Sequence, residues 1–241
     1  MSLRFENKTA LVTGASRGIG RAVALALAAE GARIVAAARS QGALEELDDE
    51  LRALGSPATL VPLDLTDVEG IDRLGGALHE RHGRLDILIG NAAILGTLTP
   101  VGHIDPEEWQ QVVAINVTAN LRLIRAFDPL LRAAPAGRAI FTTSASSWLH
   151  KPFWGAYAAS KAALECLVKA YAAEIANTSV KVNLVAPGAV ATQMRAKAMP
   201  GEDPDTLARP EDVAPLFVEL ADVSCTRNGE LIDFNDWKLR A

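Results

Sequence analysis

The sequence is poor in cysteine, in aromatic side chains and in long hydrophobic runs. Its two cysteines among 241 residues, Cys166 and Cys225, form no Cys-x-x-Cys pair, which argues against a disulfide framework and the common thiolate metal sites. Cys166 lies within an apolar helical pattern and is expected to be a buried free thiol. No apolar run approaches the length of a membrane span, and the opening segment MSLRFENKTA has no apolar signal-peptide core. These absences predict a soluble protein in the reducing cytoplasm.

An excess of positive charge is also missing. The net charge is −5 and the isoelectric point is about 5.4, with acidic and basic residues interspersed along the chain. This balance argues against a nucleic-acid or anionic-membrane partner. His79, His82 and His103 have no spacing typical of metal ligands, so we predict no metal site.

Short apolar runs alternate with longer amphipathic segments along the chain. Strands are predicted at 8–13, 33–38, 59–64, 85–90, 138–143, 180–185 and 230–234, and helices at 18–30, 43–55, 106–133 and 155–177. Continuous apolar strands separated by helices indicate a doubly wound α/β fold, in which helices cover both faces of a parallel sheet. The one long irregular stretch, 187–210, is interpreted as a lid or binding loop.

A glycine-rich turn follows the first predicted strand. It reads Thr13-Gly14-Ala15-Ser16-Arg17-Gly18-Ile19-Gly20 and opens the first predicted helix. Glycines at such a place permit a tight turn and bring backbone N–H groups close to a pyrophosphate. An ordinary strand–helix turn also favours glycine, but the flanking strand and helix make dinucleotide binding the stronger interpretation.

The end of the second predicted strand has no acidic residue. A site for NAD carries an acid there, which binds the ribose 2′-hydroxyl, whereas this chain reads Ala36-Ala37-Ala38-Arg39-Ser40. Arg39, helped by Arg17, would instead meet a 2′-phosphate, which suits a guanidinium. The two arginines also fit the description of ordinary surface charges. Their coincidence on both sides of the adenosine ribose nevertheless predicts that NADP(H) is preferred over NAD(H).

Tyr157 and Lys161 lie four residues apart at the start of an apolar helical pattern. This spacing places both on one helix face, where an ammonium group lowers the pKa of a neighbouring phenol. The two side chains also fit a half-buried helix face on which their polar ends reach water. On these residues alone, this second interpretation is favoured.

The motifs together resemble those of the classical short-chain dehydrogenase/reductase family. The ordered markers are TGASRGIG, Asp64-Leu65, GNAA at 90–93, Asn116, Ser144 thirteen residues before Tyr157, YAASK, and PGAVAT at 187–192. The likeness extends from about Asn7 to Phe234. Within the family, the chain is most similar to a bacterial branch whose natural substrates are unassigned.

The resemblance implies a fold, an assembly and a set of site residues. It implies one Rossmann-type domain over residues 1–241, strand order 3-2-1-4-5-6-7, and a homodimer or homotetramer paired through segments 106–133 and 155–177. Tyr157 would be the general acid/base and Ser144 would polarise a substrate carbonyl. Lys161 would bind the nicotinamide ribose and lower the phenol's pKa, and Asn116 would hold a water that connects Lys161 to solvent. The residues implied to bind the cofactor are Gly14, Ser16, Arg17, Gly18, Ile19, Gly20, Arg39, Ser40, Asp64, Leu65, Asn91, Ala92, Ala93, Tyr157, Lys161, Pro187, Gly188, Val190 and Thr192.

The chain departs from the family pattern in two places. The usual Asn-Asn-Ala-Gly is Gly90-Asn91-Ala92-Ala93, and the added methyl group of Ala93 is expected to weaken cofactor binding or shift its pose. The C-terminal ELIDFNDW lacks the usual Asp-Gly-Gly, which puts the tetramer contact made there in doubt.

The segment between Ser144 and Tyr157 is unusually aromatic for a chain with 5% aromatic residues. Trp148, Phe153 and Trp154, with Ser146 and Met194, are predicted to line a pocket for an apolar or aromatic carbonyl compound. Packing under the loop or in a subunit contact is an equally good account of the rings.

The sequence therefore predicts an NADP(H)-dependent oxidoreductase that acts on a carbonyl or secondary alcohol of a small apolar or aromatic substrate. One alternative is a 3-oxoacyl thioester reductase. A second is an NADP-binding sensor or scaffold without turnover, although a pure binder has no need of Ser144.

Overall fold

A computed structural model describes residues 3–240 and contains one seven-stranded sheet. All strands are parallel, in the order β3-β2-β1-β4-β5-β6-β7. The strands are β1 Thr9–Thr13, β2 Arg33–Ala38, β3 Thr59–Pro62, β4 Ile87–Gly90, β5 Arg138–Thr142, β6 Lys181–Ala186 and β7 Leu231–Asp233. This confirms the seven predicted strands and their order.

Helices cover both faces of the sheet, as predicted. They are α1 Gly18–Ala29, α2 Gln41–Ala53, α3 Val68–His82, α4 Pro106–Val113, α5 Ala119–Ala133, α6 Ser146–Leu149, α7 Gly155–Glu174, α8 Gln193–Ala198, α9 Pro210–Ala221 and α10 Phe234–Lys238. Alternate strand residues supply two apolar cores: Ala10 and Val12 pack with α1, α2 and α9, and Leu11 packs with α3, α5 and α7. In residues 3–240, no helix has both the length and the apolar character of a membrane span.

The strand order places a crevice at one edge of the sheet. β1 lies between β2 and β4, so the chain winds outward from β1 in one direction and then from β4 in the other. The connections that leave the carboxyl ends of β1 and β4 therefore diverge. Open α/β sheets bind ligands at this point.

The predicted long helix 106–133 is interrupted at its centre. A π-helical segment, Ala114–Thr118, separates α4 from α5. Asn116 lies in this segment and is fully buried, while the amide group of Asn120 donates to the Asn116 carbonyl at 2.9 Å. The extra residue of a π-turn is often found at functional sites, and a sequence pattern of period 3.6 does not reveal it.

The segment 187–210 is more regular than predicted. It contains α8 and a 3₁₀ turn, Pro204–Thr206, and Val190 pairs with Ala208 in an isolated bridge. The Thr192 hydroxyl accepts from the Arg195 N–H at 3.2 Å, and the Arg195 guanidinium pairs with Glu202, with Nε and Oε2 2.5 Å apart. The interpretation of 193–198 as irregular was wrong, because a six-residue helix held by a cap and an ion pair needs no apolar period.

Cys166 is exposed, so the prediction of a buried thiol was wrong. Leu164 and Val168 are the buried positions on this part of α7. Cys166 lies two residues from each, which is about 200° around an α-helix.

Candidate active site

A cavity of about 860 Å³ opens at the carboxyl ends of the strands. It brings together nearly all of the predicted cofactor residues and three of the four predicted catalytic residues. Those that line it are Gly14, Ser16, Arg17, Gly18, Ile19, Arg39, Ser40, Asp64, Leu65, Asn91, Ala92, Ala93, Ser144, Tyr157, Lys161, Pro187, Gly188, Val190 and Thr192. Gly20 and Asn116 do not line the cavity and are buried.

The glycine turn forms a close-packed cradle between β1 and α1. Gly14 has φ +65°, a conformation that other residues rarely adopt. A methyl group on Gly20 would lie 2.5 Å from Asn91 Nδ2 and collide with the Gly14 carbonyl, so Gly20 lets α1 approach the sheet. The first turn of α1 has no acidic residue, which leaves its N–H groups suited to an anion. These residues fit the pyrophosphate of a dinucleotide.

Two exposed arginines lie at the end of the cavity where β2 finishes. Ala38 ends β2 in the place of an acidic residue, and Arg39 and Arg17 line the cavity. The Arg17 guanidinium donates to Gln193 Oε1 at 2.8 Å, which connects the glycine turn to α8. Hydrogen bonds from the backbone and hydroxyl group of Thr66 hold the pKa of Asp64 below its usual value, and the charge of Arg39 acts in the same direction.

The structure explains the unusual Gly90. A methyl group there would lie 2.6 Å from Phe141 Cε1 and 2.8 Å from Asn120 Oδ1. The ring on β5 and the amide on α5 therefore occupy the space that a larger residue would need. Ala93 lines the cavity and is not among the non-glycine residues with positive φ, which are Asn7, His150 and Phe153 in residues 3–240. Its methyl group therefore brings no left-handed backbone strain.

Asn116 connects the chain after this turn to α7. Its Oδ1 accepts from the Ile94 N–H at 2.9 Å, and its Nδ2 donates to the Ile94 carbonyl at 2.9 Å and to Ser160 Oγ at 3.0 Å. The side chain thereby fixes the wall of the cavity next to residues 90–93. The water that Asn116 is predicted to hold remains a prediction.

Tyr157 and Lys161 lie together on the first turns of α7. The Lys161 ammonium donates to the Thr142 carbonyl at 2.7 Å and lies 5.7 Å from the centre of the Tyr157 ring. Burial lowers the pKa of Lys161 to about 8, although the charge of Glu165 opposes this change. Burial raises the pKa of Tyr157 to about 12, against the effect of its hydrogen bond with Ser144. Without ligand, the phenol is thus protonated at neutral pH, and the lowering of its pKa by the amine remains a prediction.

Ser144 follows β5 and is held by its neighbours in the chain. Its hydroxyl oxygen accepts from the Ser146 N–H at 3.2 Å and lies 3.1 Å from Ser146 Oγ. Ser146 is buried and does not line the cavity. Ser146, which was predicted to line the pocket, instead holds the Ser144 hydroxyl from the side that faces away from the cavity.

The end of the cavity beyond Tyr157 has an apolar wall. Trp154 and Met194 line it as predicted, and the Trp154 ring meets the Tyr157 ring edge-on with centroids 6.0 Å apart. Trp148 and Phe153 are 40% and 55% exposed and do not line the cavity. Four further lining residues were not predicted, namely Ile94, Leu95, Ile115 and Ala198. The position of Ile94 and Leu95 directly after the 90–93 turn could have indicated that they line the cavity. Helix α8, which carries Ala198, was not recognisable in the sequence, so Ala198 could not have been predicted.

Metal ligands are not clustered at this site. Within the described part of the chain, no group of three or more His, Cys, Asp or Glu side chains is placed to hold a metal ion.

Comparison with known proteins identifies the family. Residues 8–203 match the family model described as short chain dehydrogenase. The chain is 36% identical over 227 residues to the uncharacterized oxidoreductase YciK of Escherichia coli (strain K12). The match covers 92% of this chain and 90% of YciK. It is 35% identical over 192 residues to the 3-oxoacyl-[acyl-carrier-protein] reductase FabG of the same organism, covering 80% of this chain and 77% of FabG.

A solved structure is similar over nearly the full length. It is a short chain dehydrogenase from Shigella flexneri 2a in complex with NADP, 35% identical with a TM-score of 0.93, and the match covers 98% of this chain and all of the other. The glycine cradle and the Ser144, Tyr157 and Lys161 side chains share one cavity, in agreement with these matches. The chain belongs to the short-chain dehydrogenase/reductase family and is an oxidoreductase of that family.

Proposed function

We propose that the protein is an NADP(H)-dependent reductase of small apolar or aromatic carbonyl compounds, or the corresponding alcohol dehydrogenase in the reverse direction. The observation that carries the proposal is that Ser144, Tyr157 and Lys161 line the same cavity as the glycine cradle. A binding protein without turnover would have no use for a serine and a protonated phenol beside that cradle.

The preference for NADP(H) is supported by charge. Arg17 and Arg39 line the cavity, and β2 ends in Ala38 without a carboxylate. A 2′-phosphate adds negative charge where two guanidinium groups are available to pair with it. The similar Shigella flexneri protein was crystallised with NADP.

The proposed catalytic roles follow from the protonation states and contacts. A bound nicotinamide would supply or accept the hydride, while this chain supplies position and protons. Tyr157, with its pKa raised to about 12, donates its proton to the oxygen of the carbonyl group that is reduced. The Ser144 hydroxyl would donate to the same oxygen. Lys161 donates to the Thr142 carbonyl, lies 5.7 Å from the centre of the Tyr157 ring, and would bind the nicotinamide ribose.

The proposed substrate class follows from the wall beyond Tyr157. Ile94, Leu95, Trp154, Met194 and Ala198 present apolar surface there. Arg195 also lines the cavity, but its guanidinium is paired with Glu202 through two hydrogen bonds of 2.5 Å. Because that charge is already compensated, the wall favours an uncharged substrate.

A carbonyl panel tests this function. Purified protein is incubated with NADPH and benzaldehyde, acetophenone or cyclohexanone, and loss of NADPH absorbance is followed. We expect reduction of at least one compound, with an aromatic carbonyl preferred. The absence of NADPH consumption with all three would contradict the proposal.

The second candidate is a 3-oxoacyl thioester reductase, which is favoured by the 35% identity with FabG. Acetoacetyl-coenzyme A in the same assay separates the two candidates. A kcat/KM for the thioester about a hundredfold above that for any panel compound, a difference of about 2.7 kcal/mol, would favour the second candidate.

We also propose that the whole chain acts as one domain in a cytoplasmic homodimer or homotetramer. The outer faces of α4, α5 and α7 expose Trp109, Leu121 and Cys166, and such surface is typical of a contact between copies. α10 instead packs on its own chain, because Trp237 Nε1 donates to Glu219 Oε2 at 2.7 Å. Light scattering that gave the monomer mass of 25.5 kDa at micromolar concentration would contradict the assembly.

A further inference from the structure

Glu165 lies beside the catalytic cavity but does not line it. It is a half-buried residue of α7, four positions after Lys161 and therefore on the same helix face. The family resemblance assigns it no role. Its contacts connect α7 with the two residues that flank the Ser144 turn.

One carboxylate oxygen of Glu165 accepts two short hydrogen bonds. The Thr143 hydroxyl lies 2.5 Å from Oε1, and the Ser147 hydroxyl lies 2.6 Å from the same atom. Thr143 directly precedes Ser144 and is 1% exposed, while Ser147 is the second residue of α6, which follows Ser144. Hydrogen bonds to a charged acceptor are short and about twice as strong as neutral ones.

These contacts fix the distance between two separate parts of the proposed catalytic site. Ser144 belongs to the connection after β5, whereas Tyr157 and Lys161 belong to α7. The hydrogen bond of Lys161 to the β5 side goes to a backbone carbonyl, that of Thr142. Glu165 holds Thr143 and Ser147, on either side of Ser144, to α7, so a displacement of the Ser144 backbone relative to α7 would stretch two charge-assisted hydrogen bonds.

We propose that Glu165 is a positioning residue, which holds the Ser144 hydroxyl against the Tyr157–Lys161 face of α7 for proton transfer. The proposal rests on the catalytic roles proposed above for Ser144 and Tyr157. Glu165 does not touch the substrate or the cofactor in this account. It sets kcat through the geometry of Ser144 and is not expected to change the affinity for the cofactor.

The test compares variants that keep or remove the acceptor. Glu165→Gln retains a side-chain oxygen that both hydroxyl groups can use, whereas Glu165→Leu removes it. We expect kcat for benzaldehyde reduction to fall about tenfold or more in Glu165→Leu and to stay within about threefold of the parent in Glu165→Gln. The Kd of NADPH, measured by its fluorescence, should stay within about threefold in both.

Two further variants are compared: one is a matched control on α7, and the other removes the hydroxyl groups that donate to Glu165. Glu174→Leu makes the same change at the exposed end of α7 and should leave kcat unchanged. Thr143→Val combined with Ser147→Ala removes both donors and keeps Glu165. It also removes the contact of 2.8 Å between the Ser147 hydroxyl and the Ser144 carbonyl, so Thr143→Val alone is measured beside it. This pair should reproduce the loss in Glu165→Leu, and adding Glu165→Leu to it should cause little further loss, because the residues act through one contact.

Two results would overturn the proposal. The first is a Glu165→Leu variant whose kcat equals that of the parent. If Glu165→Leu does not fold, the corresponding result is a Thr143→Val/Ser147→Ala variant whose kcat equals that of the parent. The second is an equal loss of NADPH affinity and kcat in Glu165→Leu, which would indicate general damage to the site. If no benzaldehyde reduction is measurable, hydrogen exchange of segment 143–149 decides: faster exchange in Glu165→Leu alone supports the proposal, and unchanged exchange overturns it.

Tyr157→Phe separates this proposal from the proposed function. Full turnover in Tyr157→Phe would contradict the catalytic site itself. Loss of turnover in Tyr157→Phe together with full turnover in Glu165→Leu would contradict only the role of Glu165.

Discussion

Burial changes the pKa values of Tyr157 and Lys161 in opposite directions, because it disfavours the charged form of each. The pKa of the Tyr157 phenol is raised to about 12, and the pKa of the Lys161 ammonium is lowered to about 8. At neutral pH the phenol therefore keeps the proton that ketone reduction requires, and the lysine keeps its charge at an energetic cost. The sequence pattern identified both residues but gave no measure of desolvation, and the lowering of the phenol's pKa by Lys161 remains a prediction.

The buried charge of Lys161 should make the ligand-free protein less stable. A pKa lowered from 10.5 to about 8 corresponds to a stability cost of about 3 kcal/mol at neutral pH. Removing the lysine relieves this cost but also removes its hydrogen bond to the Thr142 carbonyl, which stabilises the fold by about 1 kcal/mol. We therefore expect Lys161→Met to raise the free energy of unfolding at pH 7 by about 2 kcal/mol while abolishing turnover.

The pH dependence gives this prediction its sign. Because the folded pKa of Lys161 is about 8 and the ordinary value is 10.5, its charge costs no stability above about pH 10.5, the cost grows as pH falls toward about 8, and it is full below that. The advantage of Lys161→Met should therefore shrink as pH rises from about 8 toward 10.5. Urea unfolding of both proteins at pH 7 and pH 10 measures it, and a variant less stable than the parent at pH 7 would count against the assigned cost.

Gly90 provides a residue-scale test of packing. Because a methyl group there would collide with Phe141 and Asn120, Gly90→Ala should lower the free energy of unfolding by about 1–3 kcal/mol. The matched control is Gly76→Ala on α3, where a methyl group meets nothing within 4 Å and should stabilise the helix by about 0.5–1 kcal/mol. Thermal or urea unfolding compares them, and equal effects of the two substitutions would show that the space beside Gly90 is not filled.

At the scale of elements, the sequence predicted what depends on repeated local pattern. The seven strands were recognisable because each is a short apolar run, and the five inner strands are buried along nearly their whole length, whereas the edge strands β3 and β7 are only partly buried. The π-segment at Asn116, the short helix α8 and the exposure of Trp148 and Phe153 were not predicted, since they depend on tertiary contacts such as Asn116 with Ile94 and Arg195 with Glu202. The glycine cradle and Tyr157–Lys161 were found because their chemistry is local in the chain.

Helix α8 and the residues after it remain the predicted lid. Segment 193–207 is expected to be the most mobile internal segment without ligand and to become ordered when cofactor and substrate bind. Arg17 donates to Gln193 across the cavity, and Thr192 packs on Gly18 of the glycine turn, so cofactor binding should alter contacts at the start of α8. Trypsin has sites at Arg195 and Lys197.

Limited trypsin digestion with and without NADPH tests this expectation. Cleavage after Arg195 or Lys197 should come first in the free protein and slow by about tenfold with saturating NADPH, a protection of about 1.4 kcal/mol. Equal rates in the two states, or first cleavage elsewhere, would show that the segment is a fixed wall.

At the scale of the whole molecule, the sheet topology gathers residues far apart in sequence around one crevice, with the proposed adenosine end at β2 and the proposed catalytic end at α7. The charge at the β2 end should set the cofactor preference. We expect NADPH to bind at least about tenfold more tightly than NADH, and Arg39→Asp to erase or reverse this preference. Fluorescence titration with both cofactors measures it, and equal affinities in the parent protein would refute the assignment of Arg17 and Arg39.

The central claim is that the cavity holding Tyr157 is the active site of a reductase. The most direct measurement is the turnover of Tyr157→Phe with NADPH and the best compound of the carbonyl panel, alongside the Kd of NADPH. The phenylalanine keeps the ring and removes only the proton donor. The account predicts that kcat falls by about three orders of magnitude or more while the Kd of NADPH changes by less than about threefold. A Tyr157→Phe protein that reduces the compound at nearly the parent rate would contradict the claim.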